Sequence, residues 1–172
     1  MERSGKLRIA GAVRGIERDG GDLFRGRYEH TVDGKGRTSL PARFREVLSG
    51  LGESRLVITT SLDPCLVAYS LREWEAFEER LSRLPSFDES VTALKRMYVS
   101  GAVECDLDKL GRLQLTADLR EHAGLTREVT WAGMGKNIEL WDKDRFEAIQ
   151  RTALSDMDKR ADMAKRLAEL GL

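Results

Sequence analysis

Between residues 24 and 70 the hydrophobic positions follow first the two-residue period of a strand and then the spacing of a short helix. In residues 24–32 every second side chain lies on the same side of an extended chain, which predicts a half-buried strand. Residues 33–36 interrupt that pattern with aspartate and glycine, which favour turns. The pattern predicts strands at 24–32, 38–40, 56–60 and 66–70 and a helix at 42–48.

From residue 71 onward, apolar residues three and four positions apart predict helices before and after a second set of strands. A helix at 71–84 ends before Pro85, and Asp88 is suited to cap a second helix at 88–99. The remaining predictions are strands at 101–107, 113–115, 129–132 and 138–141, a short helix at 117–123 and one long helix from 142 onward. That last helix has a thin apolar stripe, so we expect it to need a partner surface.

The second set of strands copies the first because part of the sequence is duplicated. Residues 32–46 align with residues 107–121, and seven of the fifteen aligned positions are identical. The identical pairs are Asp33 and Asp108, Gly36 and Gly111, Arg37 and Arg112, Leu40 and Leu115, Ala42 and Ala117, Arg45 and Arg120, and Glu46 and Glu121. A repeat this small rarely buries its apolar face alone, so we predict two halves packed as one pseudo-symmetric body.

The duplication also predicts how the chain is divided. Residues 1–22 have no sustained apolar period, and we expect a flexible extension there. The predicted segments are the N-terminal extension at 1–22, a first repeat with its helix at 24–84, a connecting helix at 85–100, a second repeat at 101–150 and a C-terminal helical tail at 151–172.

Composition excludes several classes of function. The 172 residues contain 29 lysines and arginines and 29 aspartates and glutamates, so nucleic-acid binding has to depend on local charge. Residues 24–48 supply such charge, with six basic and three acidic residues. Cys65 and Cys105 fit neither a disulfide framework nor a zinc ribbon, which predicts a reduced, cytosolic protein. No apolar run approaches the roughly 20 residues that span a bilayer.

Each copy of the duplicated segment contains the sequence Asp-x-x-Gly-Arg. The aspartate can accept hydrogen bonds from backbone N–H groups two residues on, and the glycine can adopt positive φ. The arginine then stands at the start of the next strand. The residues predicted to organise the turns are Asp33 and Gly36 in the first copy and Asp108 and Gly111 in the second.

Two arginines related by a pseudo-twofold axis suit a repeating polyanion, either the DNA backbone or the acceptor edge of guanine. The aspartates are interpreted mainly as structural partners of those arginines. For the arginines and the lysines inside the loops, binding is favoured because an exposed ion pair contributes little stability. Two strand arginines, Arg25 and Arg27, either bind DNA as well or form a solvated face. The candidate DNA-binding residues are Arg37, Lys35, Arg112, Lys109, Arg25 and Arg27.

Other constellations do not indicate catalysis. The Gly-Met-Gly-Lys segment at 133–136 lacks the spacing of a phosphate loop and is interpreted as a turn. His30 and His122 have no partner at catalytic spacing. We find no nucleophile, metal-ligand set or paired carboxylates, so the sequence predicts no enzymatic activity, no cofactor and no metal.

Six short motifs occur along the chain, and these are Phe24-Arg25-Gly26, Asp33-Gly34-Lys35-Gly36-Arg37, Pro41, Phe44-Arg45, Asp108-Lys109-Leu110-Gly111-Arg112 and Trp141-Asp142. Together they resemble the MraZ family of bacterial transcriptional regulators over residues 24–149. The resemblance implies an α+β, β-rich fold in which two pseudo-symmetric AbrB-like swapped-hairpin units form one barrel-like body. It also implies rings that present the two motifs to tandem promoter repeats of the division and cell-wall gene cluster, repression of the protein's own operon, and association with the nucleoid.

Family members usually begin with methionine where this chain has Leu23, so residues 1–22 are either a lineage-specific arm or the result of a misassigned start. The leading hypothesis is a sequence-specific DNA-binding regulator whose partners are double-stranded DNA and further copies of itself in a closed ring, with no membrane partner. A ring would link weak contacts at neighbouring DNA repeats and raise their effective concentration. The alternatives are a structural or antitoxin-like oligomeric protein without a specific DNA target, and an enzyme with an unrecognised site.

Overall fold

The computed structural model describes residues 23–172, and the extension predicted at residues 1–22 lies outside them. The first repeat contains β1 (Arg27–Thr31), β2 (Arg37–Ser39), α1 (Ala42–Gly50), β3 (Arg55–Thr60), β4 (Leu66–Ser70) and α2 (Leu71–Ser82). The connection contains α3 (Glu89–Leu94) and a π-helical turn (Lys95–Val99). The second repeat and tail contain β5 (Val103–Asp106), β6 (Arg112–Gln114), α4 (Ala117–His122), β7 (Glu128–Gly133), β8 (Asn137–Asp142), α5 (Lys143–Ser155) and α6 (Met157–Glu169). The predicted α+β class is confirmed.

The two repeats exchange strands. Six strands form one antiparallel sheet in the order β1-β7-β8-β4-β3-β5, and β2 and β6 form a separate two-stranded ribbon. In this sheet β1 of the first repeat pairs with β7 of the second, and β5 of the second repeat pairs with β3 of the first. Each edge strand therefore pairs with a strand of the repeat to which it does not belong. Neither repeat builds its part of the sheet from its own residues alone.

The barrel-like closure expected for this body is not found. In the described residues the six-stranded sheet has two free edges, β1 and β5. After each edge strand the chain turns and enters β2 or β6, which pair with each other, and Thr38 of β2 also forms an isolated bridge with Val32. The edges of β1 and β5 are therefore not joined to each other, and the ribbon is a second, separate sheet.

The core is shared between the repeats. Leu40 and its counterpart Leu115 are both fully buried, and Trp131 of the second repeat is buried with them. The ring of Phe44 receives two aromatic rings edge-on, since its centroid lies 5.6 Å from that of Phe24 and 5.1 Å from that of Tyr28. Large apolar side chains of both repeats are therefore buried in one core, which stabilises the two repeats together and not each repeat alone.

The single long helix predicted from residue 142 onward is wrong. The chain forms α5 and α6 instead, and Asp156 between them has an extended backbone with φ −84° and ψ 104°. The Asp156 carboxylate accepts a hydrogen bond from the backbone N–H of Lys159, so it caps the second helix. The apolar period continues across this capping residue, which is why periodicity alone predicted one helix.

The helix predicted at 88–99 ends in a π-helical turn. Two threonines of β3 hold this turn: the hydroxyl of Thr59 donates to the carbonyl of Tyr98 at 2.6 Å, and that of Thr60 donates to the carbonyl of Met97 at 2.8 Å. The connection between the repeats is therefore anchored to the sheet. None of the helices in residues 23–172 combines the length and apolar character that crossing a membrane requires.

Candidate nucleic-acid interface

The β2–β6 ribbon lies at the centre of the duplicated segment. Its central pair, Thr38 opposite Leu113, is turned inward, and each of the two residues is 1% exposed. Successive side chains of a strand point to opposite sides. Arg37, opposite Gln114, and Arg112, opposite Ser39, therefore share the outer face of the ribbon.

The first turn is organised by Asp33. One carboxylate oxygen accepts the backbone N–H groups of Lys35 and Arg37, both at 2.9 Å. The Asp33 carbonyl accepts the N–H of Gly36 at 2.9 Å, and Gly36 has a φ of 78°. This left-handed conformation explains the glycine, because other residues adopt it only at a cost.

The second turn makes the same set of bonds. One oxygen of Asp108 accepts the backbone N–H groups of Leu110 and Arg112, both at 2.9 Å. The Asp108 carbonyl accepts the N–H of Gly111 at 2.9 Å, and Gly111 has a φ of 73°. The turns are therefore equivalent in backbone geometry, although only two of their four residue positions other than this glycine are identical.

Each aspartate also pairs with the arginine of its own turn. The Arg37 Nε lies 2.8 Å from Asp33 Oδ2, and the Arg112 Nε lies 2.8 Å from Asp108 Oδ2. The arginine side chains are 32% and 31% exposed. Within residues 23–172, neither arginine donates a hydrogen bond from its terminal nitrogens. The aspartates therefore orient the guanidinium groups and leave two donor nitrogens of each for a ligand.

The same hydrogen bonds keep the aspartates charged. Donation from the backbone N–H of Arg37 is the largest of the effects that hold the pKa of Asp33 below its ordinary value, and the Arg37 guanidinium adds to it. The N–H and guanidinium of Arg112 lower the pKa of Asp108 in the same order. Both carboxyl groups therefore stay ionised to a lower pH than an ordinary aspartate.

Two further arginines support the turns from behind, each from the other repeat. A Cβ on Gly36 would lie 2.9 Å from Arg120 Nε, and a Cβ on Gly111 would collide with the guanidinium of Arg45. Arg45 also donates to the carbonyl of Leu40 at 3.1 Å. Arg45 and Arg120 are identical between the copies, and that identity is the signal in the sequence that could have assigned them this positioning role.

The six predicted DNA-binding residues fall into two groups. Lys35 and Lys109 are exposed in the turns beside the paired arginines. Arg27, by contrast, donates to Gln150 Oε1 at 2.7 Å, and its guanidinium carbon lies 5.6 Å from the centroid of the Phe146 ring. Arg27 starts β1, six residues before Asp33, which is roughly 20 Å at the rise of a strand. The structure does not bring Arg27 to the turns.

Arg25 lies beyond Arg27, at the same end of β1. Its neighbour Phe24 exchanges backbone hydrogen bonds with Gly135 at 2.7 and 2.9 Å. Gly135 belongs to the connection between β7 and β8, so the segment at 133–136 is the turn that was predicted, and Lys136 there lies 3.6 Å from Glu73. Arg25 therefore stands at the other end of the sheet strand from the first turn.

One exposed cation beside the first turn was not anticipated. The carbonyl of Arg127 accepts the backbone N–H of Val32 at 2.8 Å, which puts Arg127 next to Asp33. In the second repeat the corresponding bond runs from Leu107 to the carbonyl of Ser54 at 3.0 Å, so among residues 23–172 a serine occupies the position that matches Arg127. Nothing local in the sequence marks Arg127, because strand pairing brings it there from more than 90 residues away.

The fold and the repeated turn define a class of two-repeat α+β proteins that carry the same arginine-bearing turn twice. The model of the family described as "MraZ protein, putative antitoxin-like" matches residues 23–97 and again 98–167. The chain therefore belongs to the MraZ family, as its motifs predicted.

Several curated relatives carry the name "Transcriptional regulator MraZ". One from Pelotomaculum thermopropionicum is 42% identical over 150 residues, which are 87% of this chain and 99% of the relative. One from Acetivibrio thermocellus is 41% identical over 151 residues, covering 87% of this chain and all of the relative. One from Limosilactobacillus fermentum is 43% identical over 139 residues, covering 81% of this chain and 94% of the relative.

Proposed function

We propose that this protein is a sequence-specific DNA-binding transcriptional regulator without enzymatic activity. One observation carries the proposal: Arg37 and Arg112 share the outer face of the β2–β6 ribbon, and each guanidinium is held by its own aspartate. Two preoriented guanidinium groups with free terminal nitrogens suit guanine edges or phosphates, which accept two hydrogen bonds at once.

The dimensions of the ribbon support this assignment. Arg37 and Arg112 are offset by two residues along the ribbon and lie on neighbouring strands. Strand geometry then puts their Cα atoms roughly 8 Å apart. A two-stranded ribbon fits the major groove, which is about 12 Å wide. Lys35 and Lys109 extend the positive charge on both sides, so a neutral protein presents a basic surface where it meets DNA.

The strand exchange supports the finer fold assignment. We assign β1 to β4 and β5 to β8 to two AbrB-like swapped-hairpin units within residues 24–84 and 101–150, joined by residues 85–100 and followed by a tail at 151–172. In this assignment the two units act as the two halves of a dimer, and the β2–β6 ribbon is their joint DNA-binding element.

The regulatory role rests on the relatives. Proteins that align over nearly their whole length are named transcriptional regulators. We propose that this chain represses its own operon and the division and cell-wall gene cluster, as the family resemblance implies, and that it acts in the cytoplasm on the nucleoid.

We further propose that the chain assembles into a closed ring. The apolar residues of α5 and α6 line a groove of about 790 Å³ against the sheet, with Ile149 45% and Leu154 70% exposed. Apolar surface of this kind is typical of subunit contacts. Light scattering tests the ring, because a mass equal to one chain across micromolar concentrations would exclude it.

A gel-shift titration tests DNA binding. The probe is the duplex directly upstream of the protein's own coding sequence, with an unlabelled copy and a random duplex of equal length as competitors. We expect competition by the specific duplex only and a loss of affinity as salt rises, because phosphate contacts release counterions. A protein that binds neither duplex at low salt is not a DNA-binding regulator.

A further inference from the structure

The two turns differ at their tips although their backbones match. The position of Lys35 in the first turn is occupied by Leu110 in the second. Leu110 is 68% exposed, and its neighbours in the turn are Lys109 and Arg112. A single exposed leucine is ordinary on a protein surface. Here it lies between two cations on the surface assigned to DNA, and its own side chain has no charge to offer phosphates.

Resting on the proposed function, we propose that Leu110 contacts the 5-methyl group of thymine and makes the second turn a thymine-reading element. That methyl is the only apolar group on the major-groove edges of the bases, and apolar side chains recognise it. The first turn carries charged side chains instead, because Lys35 in the turn and Arg127 beside the turn both suit phosphate.

The distance between the turns lets Leu110 and Lys35 contact different parts of the DNA. Gly36 and Gly111 precede the two strands of the antiparallel ribbon. The carbonyl of Gly111 accepts the N–H of Leu40, and the carbonyl of Gly36 accepts the N–H of Leu115. Four residues from Gly36 to Leu40 span roughly 13 Å. This is the rise of about four base pairs at 3.4 Å each. Leu110 therefore reaches different base pairs from Lys35, and each chain binds DNA in one preferred direction.

Replacing thymine by uracil tests the contact, because uracil keeps the hydrogen-bonding groups and lacks the methyl. The upstream duplex is prepared in thymine and uracil forms and titrated with the full-length protein. We expect the parent protein to bind the uracil form about four-fold more weakly, the factor for losing one buried methyl-sized contact. Leu110→Gln should bind both forms with the same affinity.

Met134→Gln is the matched control, since Met134 is a 55% exposed apolar residue in the β7–β8 connection beside Phe24. It should retain the preference for thymine, and Lys35→Ala should weaken binding to both duplexes by the same factor. Equal binding of the two duplexes by the parent protein, or a preference for thymine that survives in Leu110→Gln, would overturn the role of Leu110 and leave the DNA-binding function intact. Binding to neither duplex would instead remove the function on which this inference rests.

Discussion

The first and second Asp-x-x-Gly-Arg turns share their backbone hydrogen bonds and their ion pairs but present different side chains at the tip. The shared part is held from several sides, by the aspartate within the turn and by an arginine of the other repeat behind it. The tips touch little of the protein: Lys35 and Leu110 are both exposed. After duplication, packing therefore maintains the orientation of the arginines and leaves the tips open to change.

The surroundings of the turns differ as well. The side-chain amide of Gln114 donates to the carbonyl of Lys35 in the first turn. The residue equivalent to Gln114 is Ser39, and it makes no such bond to the second turn in the described part of the chain. With Arg127 beside the first turn only, one end of the ribbon is more basic and more tightly held. Pseudo-symmetry thus applies to the scaffold and not to the exposed surface of the two turns.

The largest effect is expected at the ribbon centre, where the repeats carry different residues on equivalent sites. Leu113 is 1% exposed, and Leu113→Ala should lower the free energy of unfolding by about 2–5 kcal/mol, since it leaves a cavity in the shared core. Thr38→Val should instead raise it by about 1 kcal/mol, because the buried Thr38 hydroxyl has no hydrogen-bond partner among residues 23–172. Urea unfolding of both variants checks the pair, and a stabilised Leu113→Ala would contradict this account of the core.

A smaller effect is expected for DNA binding at the two arginines. Arg37→Ala and Arg112→Ala should each weaken specific binding by about 1–3 kcal/mol, the value of a bidentate base contact. Both should fold normally because an exposed ion pair contributes little stability. Arg151→Ala is the control, since Arg151 is 72% exposed on α5 and pairs with Glu147.

Gel-shift titration and thermal melts on the same samples separate binding from folding in these variants. Equal losses would mean that the two turns make equivalent contacts, and unequal losses would assign the difference to their tips. Parent-like binding by both arginine variants would show that the turns are purely structural.

Much of this site is predictable from local sequence. The turn residues, the arginine after each glycine and the strands beside them follow from short-range rules that operate within about five residues. Strand partners do not follow from such rules, because the period of a strand does not specify which strand it joins. The exchange of β1 and β5, the open sheet and the position of Arg127 all depend on pairing. Arg27 illustrates the same limit, since Gln150 and Phe146 reach it only through the packing of α5.

The two turn glycines should differ in their tolerance of alanine. Positive φ costs any substituted residue about 1–2 kcal/mol at both sites. A Cβ on Gly36 would also lie 2.9 Å from the backbone oxygen of Leu115, whereas the nearest atoms to a Cβ on Gly111 all belong to the flexible side chain of Arg45. Gly36→Ala should therefore destabilise the protein more than Gly111→Ala. Thermal melts of the two variants test this prediction. An equal loss of stability would mean that the ribbon backbone moves aside as readily as an arginine side chain.

The smallest effect concerns pH, and here the two turns should behave alike. The pKa values of Asp33 and Asp108 are both lowered in the folded protein, mainly by backbone N–H donation from Arg37 and Arg112. A carboxyl whose pKa is lower in the folded state binds fewer protons there than in the unfolded chain. Its stabilising contribution is therefore complete above the ordinary aspartate pKa and is lost as the pH falls from about 5 through the folded value.

Asp33→Asn and Asp108→Asn should each reduce the acid-dependent loss of stability by the same amount and leave the pH dependence between 6 and 8 unchanged. Chemical unfolding at a series of pH values from neutral to acid measures this for both variants and the parent. The hydrogen bonds of the two aspartates match in number and length. A clear difference between the variants would therefore mean that the tips, or Gln114 and Arg127 at the first turn, change the electrostatic environment of the aspartates.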